Sequence, residues 1–242
     1  MYFLSYSQLW AFWTCSRLST YRRQPQLRLQ RPWQQTAARK GTQVHHCLHQ
    51  ATVLNAAEQQ ASVVFQQFLS DYPHIWASYQ QIVAGHDAEA VYSELAVDVP
   101  LPEDWKLPYV LTGRLDRLML RGQQALVLDW KTGECKDLAS VRLQLRFYAW
   151  LVWLARENLS APVEAVVAEA HYLESDHCEH WRLTEENSDS ETTFFHDLLH
   201  DYHRQHLRDT EGIPNPRSTS EGLWCTMCEY QRLCPEGRYH AE

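Results

Sequence analysis

The sequence lacks a hydrophobic run long enough to cross a membrane, and it lacks the features of a signal peptide. Its aromatic N-terminus is interrupted by Ser5, Ser7, Gln8 and Thr14, and it has neither a basic leader nor a small-residue cleavage site. No stretch approaches the ~18 apolar residues that a membrane span needs. We therefore expect a cytoplasmic protein.

Acidic residues are absent from the first 57 residues, although the whole chain carries a formal net charge of −8. A phosphate backbone responds to such a local positive field more than to the total charge. A solvated polar face explains the pattern equally well, so charge alone leaves both readings open. The basic residues of this segment are Arg17, Arg22, Arg23, Arg28, Arg31, Arg39 and Lys40.

The seven cysteines are odd in number and unevenly spaced, which argues against a simple disulfide framework. In a reducing compartment, clustered cysteines indicate metal or redox chemistry more often than disulfides. An apolar content of 45% is ordinary for a folded protein and excludes a disordered chain. The length allows one domain with a full core, or at most two small ones.

Hydrophobic periodicity predicts helices and strands in the order αβββαββα. This order favours an α/β (mixed α+β) fold with a mixed central sheet. Asp137 is placed to cap a central helix that ends near Glu157, and Pro73 is placed to end or bend the long helix before it. The other predicted helices cover 5–23, 41–72 and 190–207; the strands cover 92–100, 109–120, 125–131, 165–173 and 180–183; a Pro/Ser/Gly-rich linker covers 212–222.

Two carboxylates and a lysine form the sharpest local pattern. It runs through Gly113-Arg114-Leu115-Asp116 and Leu126-Val127-Leu128-Asp129-Trp130-Lys131-Thr132-Gly133. Asp129 and Lys131 are two residues apart on a strand, so they leave the same face. If Gly122 and Gln123 centre the hairpin turn, Asp116 lies directly opposite Asp129, with Cβ atoms roughly 4.5–5.5 Å apart. Two carboxylates this close repel each other unless a cation lies between them.

Oxygen ligands of this kind suit Mg²⁺ or Mn²⁺. Lys131 beside such a metal could orient or deprotonate the attacking water, or stabilise charge on a phosphate. The alternative is an exposed Asp–Lys face of a hairpin. That alternative explains one carboxylate beside a lysine better than two facing carboxylates amid apolar runs, so the pattern favours a metal site.

These motifs, followed by Gln144-x-x-x-Tyr148, resemble the RecB-like branch of the PD-(D/E)XK nucleases. The resemblance implies a restriction-endonuclease-like αβββαβ core and a metal-dependent phosphodiesterase site formed by Asp116, Asp129 and Lys131. It also implies that Gln144 and Tyr148, which share a helix face, border this site. The predicted organisation is one domain over 1–242, with its core at about 41–208.

The same resemblance implies a metal-binding histidine early in the first core helix, within a G-x-x-x-H setting. Gly41-Thr42-Gln43-Val44-His45 matches it, so His45 joins Asp116 and Asp129 as a predicted ligand, with the Trp130 carbonyl as a further candidate. His46 and His49 are nearby competitors. Glu94 falls where the family often has an acidic residue at the edge of the site.

Three closely spaced cysteines, Cys225-x2-Cys228-x5-Cys234-Pro235, leave one coordination position to be filled from elsewhere, for which Cys15 is the best candidate. The arrangement resembles the iron–sulfur subset of the family, which includes the AddB nuclease domain and CRISPR-associated exonucleases. It implies a [4Fe–4S] cluster joining the ends at about 5–23 and 222–236, although Ser16 stands where the family has proline. Structural Zn²⁺ is the alternative. The remaining candidate thiols are Cys47, Cys135 and Cys178.

By resemblance, the expected activity is exonuclease action on single-stranded DNA ends, in DNA repair, recombination or CRISPR adaptation. Trp10, Trp13 and Trp33 lie among the arginines and could stack on bases, although packing onto the core explains Trp10 and Trp13 better. Two alternatives stay open. One is a non-catalytic DNA-binding or scaffold subunit that works with a helicase or integrase, and the other is a zinc-stabilised protein of unrelated function.

Overall fold

The structure is a computed structural model, and its described part divides into two compact units, which we treat separately. The first comprises Met1–Arg31, Pro100–Leu111 and Ser190–Glu242, and the second comprises Pro32–Val99 and Thr112–Asp189. Whether these units act as one domain stays a prediction. The described residues are 1–24, 32–135 (backbone only for 32–37), 137–175, 177–211, 225, 228–231 and 233–234.

The N-terminal part of the first unit begins with a strand that the sequence pattern does not predict. The single helix predicted over 5–23 is wrong, because Cys15 has an extended backbone (φ −163°) that separates two helices. Ser5 starts the first of them through a capping box with Gln8, whose Oε1 accepts from Ser5 N at 2.9 Å. The elements are β1 (Tyr2–Ser5), α1 (Tyr6–Thr14) and α2 (Ser16–Arg22).

Four helices open the second unit, where one helix over 41–72 was predicted. The prediction is wrong because Asn55 and Ser62 each cap a new helix with a side-chain oxygen, and both side-chain bonds compete with helix continuation. Pro73 begins the next helix, at the position where its missing N–H costs nothing. The helices are α3 (Pro32–Val53), α4 (Ala56–Ala61), α5 (Val63–Asp71) and α6 (Pro73–Ala84).

The described strands form a six-stranded mixed sheet in the order β1-β3-β4-β5-β6, with β2 also paired to β3. The pairs β3–β4 and β5–β6 are antiparallel, whereas β4–β5 is parallel. The mixed sheet confirms the predicted fold class. The remaining strands are β2 (Ala90–Pro100), β3 (Tyr109–Arg121), β4 (Gln124–Lys131), β5 (Ala165–Tyr172) and β6 (Cys178–Thr184).

Two helices follow the strands of the sheet: α7 (Leu138–Ala155) and α8 (Glu185–Thr210). Asp137 caps α7 as predicted, since its Oδ1 accepts from Ser140 N at 3.1 Å. Most of α7 is buried, including Leu145, Phe147 and Trp150, because the helix joins two parallel strands across one face of the sheet.

The other face of the second unit's sheet carries a separate apolar core. Leu128 and Trp130 of β4 pack there with Val44 and Leu48 of α3 and with Phe68 of α5. Successive strand residues point to opposite faces, so Asp129 and Lys131 face the α7 side. Among the described helices, none is long and apolar enough to cross a membrane.

Candidate active site

Asp116 connects two elements of the site, because one of its carboxylate oxygens contacts a helix and the other contacts a strand. Oδ1 lies 3.0 Å from His45 Nδ1 on α3, and Oδ2 accepts from Trp130 N on β4 at 2.7 Å. The β3–β4 register is the predicted one, with Arg117 paired to Leu128. The same register, continued by one residue, places Asp116 opposite Asp129. The turn thus brings the two predicted carboxylates to neighbouring positions.

Asp129 is held from the α7 side by a chain of polar contacts. Lys131 Nζ lies 2.7 Å from Asp129 Oδ2 and donates to Gln144 Oε1, also at 2.7 Å. The Gln144 amide nitrogen donates to Asp129 Oδ1 at 3.2 Å and to the Tyr148 hydroxyl at 3.1 Å. The structure therefore brings together the carboxylate, lysine, glutamine and tyrosine that the sequence singles out.

Burial makes the Asp129 carboxylate electrostatically unusual, since its residue is only 4% exposed. Burial raises the pKa of Asp129, the neighbouring Lys131 ammonium opposes this, and the nearby Asp116 carboxylate adds to the rise. Oδ2 is buried, and its cationic partner is the Lys131 ammonium 2.7 Å away.

His45 lies among three carboxylates, those of Asp116, Asp129 and Glu94. Burial alone would lower the pKa of His45, but the hydrogen bond and charge of Asp116, with the charges of Asp129 and Glu94, outweigh it and raise the pKa. Donor atoms of His45, Glu94 and Asp116 all lie within 4.8 Å of one another. His49 instead contacts Ser93, whose Oγ lies 3.0 Å from its Nδ1. His45 is thus the histidine that the fold places at the carboxylates.

Glu94 reaches His45 and Asp116 from a backbone conformation that is unusual for its residue type. Its φ is +52°, in the left-handed region that a non-glycine residue in a strand rarely adopts. Such strain costs about 1–3 kcal/mol and is concentrated at functional sites. The Arg114 guanidinium, which is 70% exposed, lies 3.6 Å from Glu94 Oε2. Glu94 was predicted only at the edge of the site, and no role was predicted for Arg114.

An open cleft of about 550 Å³ lies over these residues and gives them access to solvent. The oxygen and nitrogen donors of His45, Glu94 and Asp116 suit a hard divalent cation. The donor set therefore fits such an ion. The residues that line the cleft are Gly41, Thr42, His45, His46, His49, Glu94, Arg114 and Asp116.

The family model of the PD-(D/E)XK nuclease superfamily matches residues 3–235. The chain belongs to this superfamily. Among solved structures, it is similar to a protein from Eubacterium rectale described as a candidate exonuclease, with 14% identity and a TM-score of 0.51 over 99% of this chain and 88% of that one. At this identity the likeness shows the fold alone.

A second solved structure, named SSO0001, is 14% identical, with a TM-score of 0.41 over 98% of this chain and 88% of that one. No curated protein matches the sequence. The superfamily model covers both the second unit, which holds the site, and most of the first, which holds the predicted cysteine ligands.

Within the first unit, thiols from the two ends of the sequence come near each other. Cys15 and Cys228 pack against the apolar cluster of Ala11, Leu18 and Tyr230. Burial raises the pKa of Cys228, and the nearby Cys15 and Cys234 thiols raise it further. Cys225 and Cys234 are buried. Four thiolates are a donor set that suits either [4Fe–4S] or Zn²⁺, and whether these thiols bind a metal stays a prediction.

The N-terminal basic residues are largely engaged in ion pairs where the structure describes them. Arg22 contacts Glu229 at 2.7 Å, Arg23 contacts Asp209, and Lys40 contacts Glu174. This internal pairing lowers the positive charge left for a nucleic acid. Arg28 and Arg31, the side chain of Trp33 and the linker at 212–222 lie outside the described residues.

Proposed function

We propose that this protein is a Mg²⁺- or Mn²⁺-dependent nuclease that hydrolyses phosphodiester bonds of DNA. The observation that carries the proposal is the joining of His45, Glu94 and Asp116 to the Asp129–Lys131–Gln144 chain in one unit. His45, Asp116 and Asp129 would hold the metal, with Glu94 as a further acidic donor. Such an ion, when bound, polarises the phosphate and acidifies water.

Lys131 has the position of a group that acts on water or on the phosphate. Its ammonium points into a buried acidic setting and is fixed by two short contacts, one to Asp129 Oδ2 and one to Gln144 Oε1. A preorganised cation of this kind stabilises developing negative charge without reorganising during the reaction. Lys131 would therefore orient the attacking water or neutralise the phosphate oxygen.

Gln144 and Tyr148 are proposed as positioning residues. The Gln144 amide accepts from Lys131 and donates to Asp129, so its orientation fixes both groups relative to each other. Arg114, exposed at the cleft, would contact a backbone phosphate of the bound strand. In this arrangement the cleft residues would hold the substrate, and Asp129 and Lys131 would act on it.

We further propose exonuclease action on single-stranded ends. The description of the Eubacterium rectale protein and the exposed Trp13, at 44%, support it, because an exposed aromatic ring can stack on an unpaired base. The Arg22 guanidinium lies 5.4 Å from the Trp10 ring, so that ring is partly covered. The proposed setting is DNA repair, recombination or CRISPR adaptation, alongside a helicase- or integrase-type partner.

For the first unit we propose a [4Fe–4S] cluster on Cys15, Cys225, Cys228 and Cys234, which places the protein in the iron–sulfur subset of its superfamily. The nearness of the Cys15, Cys228 and Cys234 thiols supports this proposal. Zn²⁺ on the same thiolates is the alternative. A cluster held by both ends of the chain would make residues 1–242 a single functional domain.

The deciding experiment uses end-labelled linear and covalently closed circular DNA, single- and double-stranded, with Mn²⁺. The proposal expects mononucleotide or short products from linear single strands, intact circles, and loss of cleavage but not of DNA binding in EDTA. Cleavage of circles would refute the exonuclease mode alone. Binding without cleavage on every substrate would support the scaffold alternative.

A further inference from the structure

A second group of metal-ligating side chains lies on the β5–β6 hairpin of the second unit. His171 Nε2 is 2.8 Å from Glu169 Oε2 and 3.8 Å from Cys178 Sγ. The donor atoms of these three residues all lie within 4.8 Å of one another. A carboxylate, an imidazole and a thiol therefore lie close together, and the proposed function does not use them.

The strand register explains this convergence. Glu169 and His171 are two apart on β5 and share a face. His171 pairs with Cys178 of β6, and Glu169 pairs with His180, so all four side chains project from the same face of the hairpin. The hydrogen bond from His171 is the main cause that lowers the pKa of the Glu169 carboxyl, and the charges of His171, His86 and His180 lower it further.

This group lies on the opposite face of the sheet from the candidate active site. Trp130 pairs with His171 and Asp129 pairs with Ala170 in the parallel β4–β5 ladder. Because side chains alternate along a strand, His171 shares the Trp130 face, whereas Asp129 faces α7. A metal ion bound at the active site therefore has no access to the hairpin group.

We propose that Glu169, His171 and Cys178 form a binding site for a borderline-soft divalent cation, with Zn²⁺ the best fit. Zn²⁺ accepts thiolate, imidazole and carboxylate together, and tetrahedral bonding separates a sulfur from a nitrogen donor by about 3.5 Å. The observed 3.8 Å needs little adjustment. His180 or water fills the fourth position.

Access and chemistry both favour a metal over a simple ion pair. Cys178 is exposed, so a cation can reach the group from solvent. A Glu–His ion pair is complete without a thiol, yet the same His171 nitrogen lies close to both Glu169 and Cys178. A cation would take the place of the shared proton between these atoms and join the edge strand β6 to β5.

The test measures the zinc retained by the full-length protein after incubation with Zn²⁺ and gel filtration. The chain with Cys178→Ser is compared with the unchanged protein, and Cys135→Ser, another free thiol outside the group, is the matched control. Comparing these chains cancels zinc bound at the four-cysteine site or at the active site. We expect one equivalent less in Cys178→Ser and no loss in Cys135→Ser.

A titration with Co²⁺ gives the second readout, through the near-ultraviolet charge-transfer band of a thiolate–Co²⁺ bond. Cys178→Ser should remove the part of this absorbance that comes from the hairpin site. Glu169→Gln, which keeps the side-chain shape, should lower the affinity of the hairpin site for Co²⁺ by more than about a hundredfold. Even changes outside the ligand shell cost about 10–100-fold in metal affinity. Equal zinc content and identical cobalt spectra in all chains, with circular dichroism showing each one folded, would overturn the proposal.

Discussion

Gln144 uses both ends of its side-chain amide, which gives one residue control over two others. Its carbonyl oxygen accepts from Lys131, and its nitrogen donates to Asp129 and to Tyr148. A charged replacement cannot satisfy these partners, because a carboxylate has no donor for Asp129. The amide is thus matched to a lysine on one side and a carboxylate on the other.

We expect Gln144→Glu to lower the rate of DNA hydrolysis by about 10–100-fold, as loss of an orienting partner does at metal sites. The new carboxylate would repel Asp129 and pull Lys131 towards itself. Tyr148→Phe, which removes the hydroxyl that accepts from Gln144 and leaves Lys131 and Asp129 intact, should cost less. Equal rates for Gln144→Glu and the unchanged protein, at saturating Mn²⁺, would show that the amide does not position the pair.

Part of this site is predictable from the sequence because it depends on local geometry. The hairpin turn at Gly122 fixes the β3–β4 register, and the i, i+4 spacing places Gln144 and Tyr148 together. The role of Glu94 is harder to predict, since its left-handed backbone breaks the strand alternation. The contact between His45 and Asp116 follows from tertiary packing, and only the family resemblance indicated it.

At the scale of elements, Gly113 allows α7 to approach β3 closely. A Cβ at this position would lie 2.6 Å from Leu151 Cδ2 and 3.6 Å from Tyr148 Cε1. Real side-chain contacts are not that short, so the buried Leu151 side chain, or the helix that carries it together with Gln144, would have to shift. The glycine of the G-x-x-D motif therefore acts through packing and not through a ligand.

Gly113→Ala should destabilise the protein by about 1–3 kcal/mol, the usual cost of overpacking a core. Urea unfolding followed by circular dichroism measures it. Gly41→Ala is the control, because its Cβ would meet Thr132 Oγ1 at an ordinary 3.6 Å and alanine favours a helix. In the double variant Gly113→Ala/Leu151→Ala the two costs should be less than additive. Strict additivity would contradict the proposed clash.

The β5–β6 hairpin should have a pH-dependent stability in metal-free buffer. Burial alone would lower the pKa of His171, but its hydrogen bonds with Cys178 and Glu169 outweigh this and raise the pKa to about 9. A raised folded-state pKa gives stability that is complete below the unfolded value of about 6.5 and is lost as the pH rises towards about 9.

We therefore expect the free energy of unfolding to fall between about pH 6.5 and about pH 9 in the presence of a chelator. His171→Asn should flatten this part of the profile, whereas His196→Asn, at a half-buried position of α8 outside the hairpin, should leave it unchanged. A profile that keeps its slope in His171→Asn would assign the dependence to other groups.

Helix boundaries show where sequence periodicity is insufficient. The apolar spacing from Gly41 to Tyr72 continues through two breaks, so a single long helix is the natural prediction. The breaks come from the Asn55 and Ser62 side chains, which bond to backbone N–H groups and start new helices. The predicted bounds of the strands lie closer to the observed ones, because period-2 alternation and β-branched content indicate the same residues.

For the whole molecule, the first unit draws together thiols from residues far apart in sequence. Cys15 lies on the N-terminal side and Cys228 and Cys234 on the C-terminal side, yet their charges act on one another. Closing a loop that spans most of the chain constrains the unfolded state strongly. Whether a metal on these thiols closes such a loop stays a prediction, in which Cys15 is selected by the family resemblance because the cysteine spacing leaves the fourth ligand open.

Cys234→Ser should remove the broad visible absorbance of an anaerobically purified protein and lower its melting temperature. Cys47→Ser, in the apolar core of the second unit, is the matched control and should lower the melting temperature without changing the colour. A colourless unchanged protein that retains zinc would replace the iron–sulfur proposal with the zinc alternative.

The central claim is that Asp116, Asp129 and Lys131 form a metal-dependent hydrolytic site. The most direct test is the initial rate of single-strand DNA hydrolysis with Mn²⁺ for Asp129→Asn and Lys131→Met, with Asp98→Asn, an exposed carboxylate on β2, as the control. Because loss of one electrostatic contributor costs about 10²–10³ in rate, both variants should fall at least that far while Asp98→Asn keeps full activity. Full activity in Asp129→Asn or Lys131→Met would contradict the account.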